Sequence, residues 1–362
     1  MNYRFVVLFV FSISLANTSF SQSKRRVPFV ELTTSSGLYY HNGSLFTGTS
    51  LLLYPDNKRM QEVEWKDGQI HGSFLSWTDK GLLVMDIQYQ LGKRHGHYKS
   101  WFKNGKPEIE TTYKDGFKNG LYKEYHSNGQ PKKVVNFKMG KEDGQLVLRF
   151  ANGQVEQEGP FVDGQPHGTI VSYTIDGKKR KEISYEHGYR HGVSYIFHTN
   201  GNIGEEANYK NGYLDGKKIV YDPSQKVLSE ESYKDGKRDG VSMKFDFQGL
   251  KLEETHYVQG FRHGTYTRWV NQVVDTKGNY SNDLKEGSWI ENYSDEITKS
   301  FGTYVKNKKH GPWVIGADRL FGKSEGSFDM GYKDGSWNIY DHDGHKIRVE
   351  KWEKGRLIDV TE

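Results

Sequence analysis

After the first twenty positions the chain has no long apolar run. Instead, single aromatic residues return at a fixed interval, each opening a polar, glycine-punctuated stretch. "WKDGQIHG" at 65, "YQLGKRHG" at 89, "YKDGFKNG" at 113, "FKMGKEDG" at 137, "FVDGQPHG" at 161, "YEHGYRHG" at 185, "YKNGYLDG" at 209, "YKDGKRDG" at 233 and "YVQGFRHG" at 257 start 24 residues apart. The series continues with "YSNDLKEG" at 280, one residue early, then "YVKNKKHG" at 304, "FDMGYKDG" at 328 and a truncated "WEKG" at 352. Upstream, "YHNGSLFTG" at 40 fits with one inserted residue. All fourteen starts are aromatic against a 14% background, so the period is built in and one copy can be checked against its sisters.

With the aromatic as offset zero, Gly recurs at +3 and +7 (Gly68, Gly72, Gly92, Gly96, Gly116, Gly120, Gly164, Gly168, Gly188, Gly192), and another Gly at +16 follows Asn or Asp. A second aromatic stands at +12: Trp77, Trp101, Tyr125, Tyr173, Phe197, Tyr221, Phe245 and Trp269, with Tyr340 later. Between the glycines lie segments of about seven residues such as "HYKSWFK" and "KPEIETTYK", with the β-branched, aromatic and alternating charged content of strands. Dipeptides such as Asn104-Gly105 and Asn128-Gly129 accept two successive positive φ values, so a type I′ turn is expected there. The "DGxxxG" stretch is expected to link one hairpin to the next. Its residue at +6 runs His71, His95, Asn119, Asp143, His167, His191, Asp215, Asp239, His263, Glu286, His310, Asp334, which reads as a left-handed backbone slot. The expected fold is all-β: an elongated array of about thirteen stacked antiparallel β-hairpins over residues 39–355. A segment at 22–38 is expected to cap one end and a strand at 356–362 the other, because unpaired edges invite association.

Composition agrees with an array. Gly numbers 41, mean hydropathy is −0.82, and the long aliphatic segments of a compact enzyme of this length are missing. Residues 1–21 read as a secretory signal: Arg4, an apolar run from Phe5 to about Ala16, then small residues at Ser19 and Ser21. The alternative is a retained anchor, although the run is short for a bilayer. No later segment has transmembrane character, so an exported location (periplasmic, cell-surface or secreted) is expected. The absence of Cys excludes disulfides and thiolate chemistry. Of the formal charge of +5, four units are Arg4, Lys24, Arg25 and Arg26, leaving +1 for the rest, which is no footprint for nucleic acid.

The run aromatic-x-x-Gly-x-x-His-Gly, with "NG" turns between copies, resembles MORN repeats, and the 24-residue spacing is similar to the bacterial variant in YwqK-type antitoxin proteins. The resemblance spans about Tyr40 to Trp352. It departs at Phe74, Tyr98, Tyr122 and Tyr266, where MORN units often carry Gly, and at Asp283 and Asn307, which replace the first Gly. What it implies is a twisted antiparallel β assembly that acts as a binding scaffold and, in the YwqK-type setting, neutralises a partner protein.

The search for chemistry is thin. His95 occupies a slot that Asp and Asn fill elsewhere. Equivalent turns stand roughly 10 Å apart, too far for one zinc with bonds of about 2.0–2.1 Å. "GADRLFGKS" at Gly316 has five residues between its glycines where a phosphate loop needs four. "DHDGHK" from Asp341 collects two His and two Asp, but it coincides with a turn. Adjacent carboxylates such as Glu205-Glu206 and Glu253-Glu254 alternate with Lys as solvated faces do. No catalytic, cofactor or metal residue is assigned, and a non-enzymatic role is expected. The aromatic ladders form either a stacked core or platforms for a partner. The expected partner is a protein, with carbohydrate or cell wall as the alternative through the +12 aromatics. Lipid binding lacks a basic or amphipathic patch.

Overall fold

The computed structural model describes residues 25–292, 299–316 and 322–362. The proposed signal at 1–21 and part of the "GADRLFGKS" stretch lie outside the described residues. Two compact units are resolved, residues 1–117 and 118–362. Both are antiparallel sheets in which sequence neighbours pair, and the fold is the expected stack of hairpins.

In the first unit the repeat strands run from Gly48–Leu53 and Arg59–Lys66 through Gln69–Trp77, Leu83–Gln90 and Lys93–Trp101 to Pro107–Lys114. The short strand Arg26–Pro28 lies parallel to Gly48–Leu53 along its free side. The copy at 40 behaves differently from its sisters. Leu38–His41 belongs to a separate three-stranded sheet with Thr33–Ser35 and Ser44–Leu45, and the inserted residue lets Phe46 turn into a core with Val27, Val63 and Trp65.

In the second unit the described strands from Gly120–Tyr125 to Arg356–Thr361 follow the same scheme. A single-layered sheet has no second layer to bury against, so its interior is one row of side chains running across the strands. Direct cross-strand partners occupy that row: Tyr122↔Val135, Leu146↔Gly159, Ile170↔Ile183, Ser194↔Ala207, Lys218↔Glu231, Ser242↔Thr255, Tyr266↔Gly278, Trp289↔Gly302, Trp313↔Gly326 and Trp337↔Glu350. These are offsets −2 and +9. Because side chains alternate along a strand, the starting aromatics share their face, here the first face, and the +12 aromatics fall on the other, the second face.

The type I′ turn is not at the "NG" where the sequence reading expects it. Successive positive φ values occur at +2 and +3, as at Asp67 (50°) and Gly68 (76°), or Asp235 (49°) and Gly236 (80°), so the two-residue type I′ turn is the "DG". At the "NG" only the Gly is left-handed, as at Gly105 with φ 80°. There Gly105 N–H donates to Phe102 O and Phe102 N–H to Lys106 O, which is a type I turn followed by a bulge. Asn is favoured at that position for another reason: Asn104 Oδ1 accepts the N–H of Lys106 two residues on.

This distinction also accounts for the early repeat at 280. Its loop is the two-residue Asn271-Gln272, both with positive φ, between paired Val270 and Val273, in place of a three-residue loop.

Candidate functional site

Besides the strand ladders, contacts between the turns join one repeat to the next. The N–H at +3 donates to the carbonyl at +5 of the preceding repeat: Gly92 to Ile70 and Gly116 to Arg94 in the first unit, Gly212 to Arg190, Gly260 to Arg238 and Gly331 to Lys309 in the second. The +6 residues are not left-handed, contrary to the sequence reading; none of them is among the positive-φ residues. At His71, His95, Asn119, Asp215, Asp239, Glu286, His310 and Asp334 the side chain accepts the N–H at +2 of the following repeat, whereas His191 Nδ1 faces Glu186 Oε2 at 3.2 Å. Asp115 N–H points to His95 Nδ1 at 3.4 Å, Gln259 N–H to Asp239 Oδ2 at 3.0 Å and Lys306 N–H to Glu286 Oε2 at 2.9 Å. His, Asp, Asn and even Glu serve equally because each offers an acceptor at that reach. Asp283 and Asn307, in place of Gly, keep the left-handed φ and add a bond of this kind, Arg262 N–H to Asp283 Oδ1 (2.9 Å) and Lys285 N–H to Asn307 Oδ1 (2.6 Å).

A second recurring element escaped the sequence reading, although its signal was present as Lys or Arg at +5 in eight of the twelve copies from 65 to 328, the others having Ile70, Glu142, Pro166 and Leu214. On the first face this cation lies over the starting aromatic of the next repeat. Arg94 sits 5.4 Å from the Tyr113 ring, Arg190 5.1 Å from Tyr209, Arg262 4.1 Å from Tyr280 and Lys333 4.7 Å from Trp352. Each such contact contributes about 0.5–1 kcal/mol at exposed sites and more where desolvated. Arg94 of "YQLGKRHG" is therefore a structural clamp.

The second face holds Trp77, Trp101, Tyr125, Tyr173, Phe197, Tyr221, Phe245 and Trp269, all half-buried. The starting aromatics on the first face are half-buried too, apart from buried Trp65 and Tyr304. Neither ladder is a closed core and neither is fully open.

In the second unit the +12 residues border a ladder of direct cross-strand partners: Glu158, Val171, Glu182, Tyr195, Glu206, Ile219, Glu230, Met243, Glu254 and Thr267. A carboxylate thus alternates with a mostly apolar side chain, at roughly 10 Å per carboxylate. Tyr173 Oη donates to Glu158 (2.8 Å), and Lys179 and Lys251 pair with Glu182 (2.8 Å) and Glu254 (2.9 Å) across the surface. Burial first, and then Glu206 with Glu182, raises the pKa of Tyr195; burial, then Glu206 and Glu230, does the same for Tyr221.

The remaining sequence candidates separate cleanly. Glu205 and Glu206 point to opposite faces, Glu205 toward Lys218 Nζ at 3.0 Å, so adjacent carboxylates do not converge. Asp341, Asp343 and His345 do come together, with ligand atoms within 4.8 Å of one another. Asp341 Oδ1, however, accepts His345 N–H at 2.7 Å. Asp246 closes its own loop by the same bond, from Leu250 N–H, with no His nearby in sequence. The Asp is thus a loop-closing residue. Among the described residues no helix is long and apolar enough to cross a membrane.

Three segments, 94–115, 118–139 and 190–211, match the family model described as MORN repeat variant. Each runs from the +5 cation to the +2 residue of the next repeat. MORN repeats are generally scaffolds for protein or membrane interactions. No curated protein matches the chain. Among solved structures it is similar to a TcdB2-TccC3 crystal structure (11% identity, 84% of this chain, 18% of that chain, TM-score 0.17) and to the Photorhabdus luminescens Tc holotoxin pore (10% identity, 84% of this chain, 17% of that chain, TM-score 0.17). The chain spans less than a fifth of those proteins, and likeness at that TM-score carries no inference about fold or role.

Proposed function

We propose that the protein is an exported, non-enzymatic repeat scaffold that binds a protein partner along the second face of residues 158–269. The observation that supports this is the regular alternation of carboxylate and apolar side chains there. A regular surface suits extended binding, whereas catalysis needs reactive groups gathered at one point. The chemistry the ladder recognises is a basic, partly apolar segment. Exposed pairs such as Lys251 with Glu254 contribute little to stability, so a partner's Lys or Arg can replace the intramolecular one at small cost. Neutralisation of the partner is the extension that the resemblance to YwqK-type proteins implies.

Pull-down from envelope extracts with the wild-type chain and a Glu206→Lys, Glu230→Lys double variant tests the reading. The expected result is one stoichiometric protein with a basic segment, retained by the wild type, released by salt and lost with the variant. Recovery of no partner, or equal recovery by both chains, rejects it. Adding the purified scaffold to the partner's own activity assay then tests neutralisation.

A further inference from the structure

At offset +4, just past each "DG" turn, most copies carry a polar residue, such as Gln69, Lys93, Lys141, Gln165 and Lys308, so the stack itself does not require a ring there. Tyr189 and Tyr213 fill the slot in consecutive repeats, and both are 64% exposed. Each lies against the glycine at +3 of the next repeat: a Cβ added to Gly212 would stand 3.5 Å from Tyr189 Cδ1, and one on Gly236 3.3 Å from Tyr213 Cδ1. The rings are thus propped on one side and open to water on the other. Direct pairing of Glu186 with Tyr189 and of Lys210 with Tyr213 puts both rings on the second face, at its turn edge. Lys210 stands four residues along its strand from Glu206, roughly 13 Å, so this edge is a separate column from the carboxylate ladder. In the next repeat the slot holds Lys237, directly opposite Lys234. Like charges so placed repel, and among the described residues neither lysine forms an ion pair, even with Asp235 between them.

The geometry points to a site for a polyproline II segment of the form Pro-x-x-Pro-x-x-acid, distinct from the basic segment proposed for the carboxylate ladder. Spacing decides the conformation of the occupant. Two strands per repeat put Tyr189 and Tyr213 roughly 10 Å apart. A polyproline II helix returns to the same side every three residues, about 9.3 Å, so one proline lies on each ring in turn. An extended strand returns every two residues, about 6.7 Å, and falls out of step. Proline rings stack on tyrosine faces, the phenol hydroxyls donate to carbonyls that this helix leaves unpaired, and the segment is ordered before it binds. One further turn of the helix reaches Lys237, where a carboxylate offsets the repulsion between Lys234 and Lys237. The order ring, ring, amine along the edge is thus matched by proline, proline, acid.

The test is calorimetric titration of the full chain with a short soluble peptide that contains Pro-x-x-Pro-x-x-Glu. Binding at one site is expected, and Tyr189→Gln or Tyr213→Lys should each weaken it about tenfold or more. Sister repeats carry Gln and Lys in that slot, so both variants keep the fold, as checked by circular dichroism. Alanine in place of the peptide's two prolines should abolish binding. Lys237→Glu should weaken the acidic peptide and favour one with Lys in place of its Glu, which identifies the charge contact. The Glu206→Lys, Glu230→Lys double variant should retain the tyrosine-dependent binding, so this site and the carboxylate ladder stand or fall separately. The assignment is overturned if the peptide does not bind, or binds regardless of its prolines or of both tyrosine variants. Capture of β-1,4-linked glucose or N-acetylglucosamine oligomers by the same tyrosines, with no capture of the peptide, overturns it as well.

Discussion

Two stretches of the second unit use the same repeat to build different interiors. From Gly278 to Trp337 the central row alternates Gly and Trp; from Ile183 to Thr255 it reads Ile, Ser, Ala, Lys, Glu, Ser, Thr. In the first stretch each indole lies flat over a glycine of the neighbouring strand. A Cβ added to Gly302 would stand 2.2 Å from Trp313 Cδ2, and one on Gly326 2.3 Å from Trp337 Cδ2. The indoles and starting aromatics then meet edge to face in an unbroken relay. Ring centres are 5.8 Å apart for Trp289 and Tyr304, 5.2 Å for Tyr304 and Trp313, and 5.1 Å for Phe328 and Trp337. Lys285, Lys309 and Lys333 lie over these rings, and burial lowers the pKa of Lys309 and Lys333.

The middle stretch is held by charge and hydrogen bonds instead. Arg238 pairs with Glu231 at 2.5 Å, Tyr233 Oη donates to Glu231 at 2.7 Å, and Lys218 reaches Glu205. In the aromatic stretch a large side chain covers a small one across each strand, which buries apolar area in a sheet of one layer. The aromatic stretch is thus the more strongly packed, and the middle is the part in which side chains remain available to water.

The largest test of that contrast is Trp313→Ala, expected to cost about 3–5 kcal/mol locally, against under about 1 kcal/mol for Ser242→Ala in the corresponding row position. Because an array does not unfold as one unit, hydrogen exchange of the flanking strands is the measurement, and equal loss of protection in the two variants would break the comparison.

Gly302→Ala is expected to destabilise by about 1–3 kcal/mol by lifting the indole. The reciprocal Ala207→Gly should cost about 0.5–1 kcal/mol through backbone freedom alone; a smaller effect for Gly302→Ala than for Ala207→Gly would contradict the flat Trp–Gly packing.

The indole nitrogens give a finer test. Trp313 Nε1 donates to Thr303 O at 3.0 Å, whereas the buried Trp289 Nε1 has no partner. Trp313→Phe should therefore cost about 1 kcal/mol more than Trp289→Phe, as read by the same exchange method.

pH should act on the two stretches in opposite directions. Burial, followed by the bond to Glu231, raises the pKa of Tyr233. Its contribution is complete below the ordinary tyrosine value of about 10 and is lost as pH climbs through the raised folded value. Tyr233→Phe should remove that part of the alkaline loss. At the aromatic end, the backbone and side-chain bonds from Arg262 lower the pKa of Asp283. That contribution is present above the ordinary carboxylate value of about 3.9 and is lost as pH falls through the depressed one. Asp283→Asn should flatten the acid response of that turn, and an unchanged acid profile by local exchange would remove Asp283 from the account.

Much of the architecture was legible because it repeats. The period, the strand segments and the hairpin order follow from aromatic and glycine spacing, since each turn needs its own backbone conformations. The candidate site was less legible. Trp77 and Trp101 were visible as members of a ladder, but nothing in their spacing told which face of the sheet that ladder takes or how far it is buried. The +5 cation was overlooked because the rings over which Arg94 and Lys118 lie stand 19 residues away in the chain and meet them only across the sheet. The +6 slot was misread for a related reason: His, Asn and Asp share both a tolerance for left-handed backbone and an acceptor side chain, and composition alone does not tell these apart.

What the sequence by itself determined is the repeat: its length, the positions of its turns and the all-β hairpin order, each of which depends on residues a few positions apart. What only the tertiary structure decided is which dipeptide forms the type I′ turn, which face each aromatic takes, and what the side chains at +5 and +6 hold. Those outcomes depend on partners about twenty residues away. Strand register brings them into contact, and one residue more or less in a loop sends a side chain to the opposite face.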